Sequence, residues 1–492
     1  MKIKRRALLL GATALPLSGH YPAVAQAVKR NGLRSEETGE TRIKSGRNAT
    51  VTGMMLDAIE RRRFEQVPAA IIYESKRALV NWFGCVLGAA QSDPVNRAAQ
   101  TVGSGTVPIY GTTQNAQAKD AAFLTCLSSA VYAFDDTHVP TITHPTGPIA
   151  SVLLALAHSE HKLSGQQFLS ALIAGIEFSC KLANALTRYA PEPNFGLYLT
   201  GVTGPIGAAA AGAIALGLDR ASTGWAIGLA ATQAAGLRAT HGAMSGMVVP
   251  AFSASAGLQA VLLAQAGFTS TAEVISGERG LIAAYAPGAD WDAAFSGLGE
   301  DFEIRRVSYK PYPCGVVIHP LLNVLKSAAL SDLTNTNVQG VEVRVSKRTK
   351  TLTDNAAPTD MFAAIVSAQH WVALAILGHP LGVNGLQQEQ IDDPEVSKMR
   401  KKIKLVSDDA LEVTDCVITL QMNEHAPVTL HGNKVDQAEM TLNDVALKEK
   451  YMNQGRGTMD QFQLEKLLAL LLNIEQSKDI GRDISAIFRP VS

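Results

Sequence analysis

The chain has 492 residues, 47% of them apolar and 18% charged, enough material to bury a large core with a second, smaller one attached. Lysine plus arginine and aspartate plus glutamate both number 44, so no net charge draws the molecule to nucleic acid or to an anionic membrane. The five cysteines are widely spaced with no CxxC pair, which speaks against a disulfide scaffold and reads as small core residues.

At the amino terminus, Lys2, Lys4, Arg5 and Arg6 precede an apolar run over residues 7–17, and small residues follow at Ala23, Ala25 and Ala27. This charged, apolar, small-residue order predicts a signal peptide over residues 1–27, and the Arg5-Arg6 pair partly resembles the twin-arginine type. The expected location is therefore periplasmic or exported, with a cytoplasmic protein as the alternative. Residues 28–48 are polar and read as a flexible lead-in.

From residue 49 the pattern is helical. Ile72, Leu79, Phe83 and Val86 recur at helix-face spacing after Pro68. Residues 149–157, 168–186, 204–218, 225–237 and 254–267 continue the series, separated by Gly, Pro or Ser breaks. Residues 197–218 carry no charge and are long enough to span a bilayer. Their glycines, alanines and Pro205 favour a buried helix instead, so no stable membrane span is expected once the signal is removed.

Farther on the period changes. Val341-Glu342-Val343-Arg344-Val345 alternates as a half-buried strand does. Residues 403–406, 413–422 and 428–430 are further strand candidates, a helix is expected over 361–377, and residues 464–472 return to helix. The expected fold is mainly α. It has a large all-helical domain built from both chain ends (49–276 with 435–492) and a smaller α+β lid domain (277–434). A cleft between them is the natural place for a small ligand.

Two constellations carry chemistry. The first runs Asp135-Asp136-Thr137-His138 to His144-Pro145-Thr146, placing two carboxylates and two imidazoles in a short polar stretch between helices. Histidine shuttles protons near neutral pH, and a neighbouring aspartate can fix its tautomer. Helix capping by Asp135 is the competing reading, and a metal site is the weaker one, because no further ligand motif accompanies these residues. The second constellation is Lys310-Pro311-Tyr312-Pro313-Cys314, in which two prolines present Lys310 and Tyr312 rigidly. Lys310 suits a carboxylate or a developing enolate, and Tyr312 can donate a hydrogen bond. Arg238, in the segment ending His241-Gly242, is a further cationic candidate. Gly-x-Gly-x-x-Gly after a strand, Walker-type Gly-Lys-Ser/Thr and Gly-x-Ser-x-Gly are all missing from the sequence.

The order of these motifs resembles the MmgE/PrpD family over roughly residues 50–475. The resemblance rests on Asp135 to Thr146, on Leu199-Thr-Gly-Val-Thr-Gly-Pro-Ile-Gly at 199–207, on Gly267-Phe268-Thr269 with Gly277-Glu-Arg-Gly280, and on Lys310 to Cys314. It implies a helical domain with an α+β lid, a homodimer, and a cofactor-free lyase acting on a small carboxylate. Dehydration of a hydroxy-carboxylate is the leading expectation. Epimerisation of a dicarboxylate and a non-catalytic carboxylate-binding paralogue are the alternatives. His144, His138, Asp135, Asp136 and Lys310 are the expected catalytic set. Thr137, Tyr198, Tyr312, Arg238 and His370 are expected to bind substrate. The chain departs from the family pattern at three positions. Tyr198 stands where several members have histidine, Gly246 where many have a carboxylate-binding lysine, and His370 where tyrosine is common. Losing that lysine makes a tricarboxylate the less expected substrate, since a charge-assisted hydrogen bond contributes about 1.5–3 kcal/mol.

Overall fold

A computed structural model describes residues 50–61, 64–158, 162–328, 333–334, 336–432 and 441–488. The signal-like segment 1–27 and the lead-in 28–48 lie outside the described residues.

The helical part opens with a helix over Val51–Arg61, and its longer helices include α1 (Ala69–Ala89) and α2 (Ala118–Ala130). After a short strand β1 (Asp136–His138) come α3 (Thr146–Leu156), α4 (Gly165–Leu186), α5 (Leu199–Ala215), α6 (Arg220–Ala231) and α7 (Met244–Gln265). Pro68 stands at the N-cap of α1, where its missing N–H costs nothing, and Ser164 with Gln167 forms a capping box on α4. The uncharged α5 packs against α3, α4, α6 and α7. Its close approach to α4 depends on reciprocal glycines: a β-carbon on Gly175 would stand 2.7 Å from the Gly207 carbonyl, and one on Gly207 2.6 Å from the Gly175 carbonyl. The uncharged stretch is thus a buried helix of the core. The helix expected to run through residue 237 ends instead at Ala231, and the chain turns back through Arg238–Thr240.

A second short strand, β2 (Val307–Tyr309), leads into α8 (His319–Ser327). The strand-bearing segment follows with β3 (Val338–Val345), α9 (Lys347–Thr353), α10 (Met361–Ile365), α11 (Ala368–Ile376), β4 (Ile403–Ser407), β5 (Cys416–Met422) and β6 (Val428–Gly432). The sheet order is β4-β3-β5-β6, with β3 and β4 parallel and the other pairs antiparallel. One helix was expected over 361–377, but two form. Ser367 leaves helical geometry and caps the His370 N–H, which restarts the helix in a new direction.

The carboxyl-terminal α12 (Asp444–Gly455) and α13 (Gln461–Leu472) pack on α1. The buried apolar residues of these helices and of the strand-bearing segment belong to one contiguous cluster, from Leu79 and Tyr451 to Val343 and Trp371. All five cysteines are buried and unpaired.

Candidate active site

The two chemical motifs, about 170 residues apart in sequence, meet as a two-stranded antiparallel ladder. Asp136 pairs with Tyr309, Thr137 with Ser308 and His138 with Val307. This strand pair sets Asp135 beside Lys310. Ala133 and Ile142, on either side of β1, both take left-handed backbone angles, with φ of 46° and 58°. Such angles are costly for residues with a β-carbon and persist where surrounding bonds over-determine them. Here the Ala133 carbonyl accepts from Lys310 Nζ at 2.8 Å, and the His138 carbonyl accepts from the Ile142 N–H at 2.8 Å.

His144 lies at the end of this loop. Its N–H donates to Thr200 Oγ1 on α5 at 3.0 Å. Its Nδ1 is 2.7 Å from the Asp136 carbonyl, 3.2 Å from Thr137 Oγ1 and 3.8 Å from Asp135 Oδ1. A carbonyl can only accept, so Nδ1 carries the proton and Nε2 holds the lone pair. Nε2 has no protein partner among the described residues, and the side chain keeps 12% exposure. Burial brings the imidazole down to about 4; Asp135 opposes this, while the positive charge of Lys310 adds to it. His144 is therefore neutral and competent as a base at neutral pH.

Asp136 turns away from the imidazole and accepts from Thr146 Oγ1 at 2.5 Å. Burial, reinforced by the charge of Asp135, raises its carboxyl to about 7. Lys310 is almost fully buried, and its Nζ contacts the Ala133 carbonyl and, at 3.4 Å, Asp135. It is thus engaged inside the protein, and its influence on His144 is electrostatic rather than a direct hold on a ligand. Beneath it, Lys450 of α12 donates to Asn81 Oδ1, the Phe134 carbonyl and the Lys310 carbonyl at 2.7–3.0 Å. Burial lowers this amine to about 8. Lys450 ties both motif segments to α1.

His138 lies deeper than His144. It is fully buried, with Nε2 at 2.9 Å from Glu303 and Nδ1 at 2.7 Å from Thr141 Oγ1. Glu303 also faces Lys181 at 3.3 Å and Arg306 at 3.4 Å. Burial alone would raise this carboxyl, but the hydrogen bond from His138 and the surrounding charges hold it near 2. With both nitrogens occupied inside the protein, His138 links the loop to Glu303 and Thr141.

Beside this centre lies a cavity of about 690 Å³. Its walls include Leu197, Leu199, Arg238 and His241 from the helical part, and Lys347, Arg348 and Leu352 from α9. His144 is not on the wall itself. Tyr198 connects the two, its ring edge-on to His144 at 6.2 Å and under the Arg238 guanidinium at 4.8 Å. Arg348 lies over the Phe195 ring at 5.1 Å. Neither arginine forms an ion pair among the described residues. Burial lowers both guanidinium pKa values, and at Arg348 the charge of Arg238 adds to the effect; both still keep their protons. Burial, together with Arg238 and His144, lowers His241 to about 4, so the cavity wall carries a second neutral imidazole.

Two further expectations fall elsewhere. His370 is buried in α11, held by the Gly385 carbonyl and Arg400 at 2.8 and 3.1 Å, and is not on the cavity wall. Tyr312 packs edge-on against His319 at 5.4 Å, also off the wall. Gly246 is glycine for a local reason: a β-carbon there would come within 2.7 Å of the Thr240 carbonyl. Sequence reading missed Arg348, His241, Thr200, Glu303 and Lys450. The basic run directly after the β3 pattern was a usable signal for Arg348, and His241 lies in the segment that exposed Arg238. Nothing local marks Glu303 or Lys450. No group of three or more His, Cys, Asp or Glu side chains gathers in a metal-holding arrangement among the described residues.

The MmgE/PrpD N-terminal domain matches residues 55–294 and the MmgE/PrpD C-terminal domain residues 312–475. Human cis-aconitate decarboxylase is 23% identical over 380 residues, covering 73% of this chain and 77% of the relative. The cis-aconitate decarboxylase of Aspergillus terreus is 21% identical over 491 residues, covering 93% and 99%. Both family domains in order, over a buried His–Asp–Lys centre, make the chain a member of the MmgE/PrpD family and a lyase.

Proposed function

We propose that the chain is a cofactor-independent lyase that removes a proton next to a carboxylate, with His144 as the base and a dehydration as the overall reaction. One observation carries this reading: the Asp136 carbonyl fixes the His144 proton on Nδ1 at 2.7 Å and leaves Nε2 without a partner among the described residues. Arg238 and Arg348 would hold the substrate carboxylates in the adjoining cavity, since guanidinium forks pair with carboxylates in two parallel hydrogen bonds. His144 Nε2 takes the proton from the carbon beside a bound carboxylate. The released electron pair, stabilised by the nearby cations, forms the double bond as hydroxide leaves from the neighbouring carbon, and the departing oxygen takes the proton held on His144 Nε2 to give water and return the imidazole to its neutral form. The fixed charge of Lys310 and the hydroxyl of Thr137 keep the imidazole neutral and oriented. The strand-bearing segment acts as a lid in this scheme, because it supplies Arg348 and Leu352 to the cavity wall.

Two partly buried arginines without acidic partners among the described residues supply the positive charge that Gly246 does not, so a di- or tricarboxylate fits the site. The named activity of the relatives favours a second reading, decarboxylation. In that case the carbon–carbon bond breaks, carbon dioxide leaves with the electron pair staying on carbon, and the resulting carbanion takes a proton from water. NMR in deuterated water with citrate-like, malate-like and cis-aconitate substrates separates the readings. Loss of water supports dehydration, and carbon dioxide release with deuterium uptake supports decarboxylation. Binding of these acids without exchange or turnover overturns both.

A further inference from the structure

We infer that Lys450 is a positioning residue for the reaction: its ammonium, bonded to the Phe134 and Lys310 carbonyls and to Asn81, sets the Asp135–Lys310 pair against His144. The inference rests on the lyase reading above and adds to it a residue from outside both motifs. The bonds measure 2.7 Å to Phe134, 3.0 Å to Lys310 and 2.8 Å to Asn81 Oδ1, and the same nitrogen stands 3.7 Å from the centroid of the Phe134 ring. All three ammonium hydrogens are thus spent within the protein. Phe134 immediately precedes Asp135, so one group grips the backbone beside both members of the charged pair. Lys310 Nζ in turn donates to the Ala133 carbonyl. Two lysines therefore hold consecutive carbonyls of the turn in which Ala133 keeps its left-handed angle. The next two residues meet His144: Asp135 stands 3.8 Å from Nδ1, and the Asp136 carbonyl accepts from it at 2.7 Å. A shift of the 133–136 backbone moves both groups that face this nitrogen. Burying an ammonium costs free energy that an apolar side chain of similar volume avoids, so stability alone is a weak reason for a lysine here. The charge faces Lys310, Asp135, Asp136 and Cys85.

The test reads His144 directly, by nitrogen NMR of the full chain labelled in its histidine rings, with no ligand added. Wild type, Lys450→Met and Asn81→Leu are compared at neutral pH, and His144→Gln assigns the resonance. Wild type should show His144 as the neutral tautomer with its proton on Nδ1. Lys450→Met, folded by circular dichroism, should show the other tautomer or an average of the two, and Asn81→Leu a smaller change in the same direction. With an acid that the deuterated-water assay shows to be turned over, Lys450→Met should lower kcat about 10- to 100-fold and leave KM within about threefold, as a small displacement of a reacting group does. A folded Lys450→Met with wild-type His144 signals and wild-type kcat overturns the inference and leaves Lys450 a structural tie. If Lys450→Met does not fold, Asn81→Leu decides on the same readouts, because it keeps the ammonium and both carbonyl bonds; unchanged signals and turnover there overturn the inference. If no acid is turned over, the lyase reading fails, while the His144 spectra still decide this inference.

Discussion

The two ends of the 135–146 loop carry the same side chain in opposite states. At His138 both ring nitrogens are used, Nε2 by Glu303 and Nδ1 by Thr141, and the ring has no exposure. At His144 only Nδ1 is used, by a carbonyl and a threonine. The carboxylate at His138 calls for a proton on Nε2, and the carbonyl at His144 calls for one on Nδ1, so the two imidazoles are opposite tautomers. Under the proposed mechanism, reactivity in this loop follows from which nitrogen the protein leaves unoccupied. Proximity to aspartates, which both histidines share in the sequence, does not distinguish them.

The largest expected effect lies at His144. Replacing it with alanine should cut turnover of a true substrate by roughly 100- to 10,000-fold, the usual contribution of a general base, with the fold intact by circular dichroism. His138→Gln should do the reverse. Urea unfolding should show a loss of about 0.5–1.5 kcal/mol, because a glutamine amide that donates to Glu303 cannot also bond Thr141, while activity per folded molecule stays within a few-fold. A severe catalytic loss in His138→Gln, with stability unchanged, would break the comparison.

Smaller effects appear in pH profiles. Because His144 is depressed to about 4, kcat/KM should stay flat as pH falls from 7 to 5 and decline only on approaching 4. A decline centred at 6.5 would show an unperturbed imidazole. Asp136 behaves oppositely. Its folded-state pKa is raised to about 7 from 3.8, so the folded state holds the proton more tightly than the unfolded chain. Its stability contribution is full below pH 3.8 and is lost as pH rises through 7. Asp136→Asn escapes that loss, so its Tm relative to wild type should improve between pH 5 and pH 9. A difference that does not change with pH would mean Asp136 is ionised throughout.

Much of the fold was legible because periodicity is local. The alternation at 341–345 marked β3, and the uncharged run at 197–218 marked a buried helix once its glycines were weighed. Local signals failed where one residue redirects the chain, as at Ser367, or where a strand is too short to show a period. β1 and β2 have three residues each, and their pairing rests on the partner strand rather than on a pattern of their own.

Residue order alone makes plain that a polar loop with two histidines and two aspartates interrupts a helical chain, and that a proline-held lysine follows far downstream. These are properties of residue type and spacing. Folding in three dimensions is what joins the two segments in one ladder, turns Lys310 toward Asp135, and brings Arg238 and Arg348 into the lining of one cavity. Those outcomes depend on burial and on partners remote in sequence, such as Glu303 for His138 and Lys450 for both motifs. A side chain's proton affinity and its freedom to react are set by what surrounds it, and spacing along the chain does not encode those surroundings.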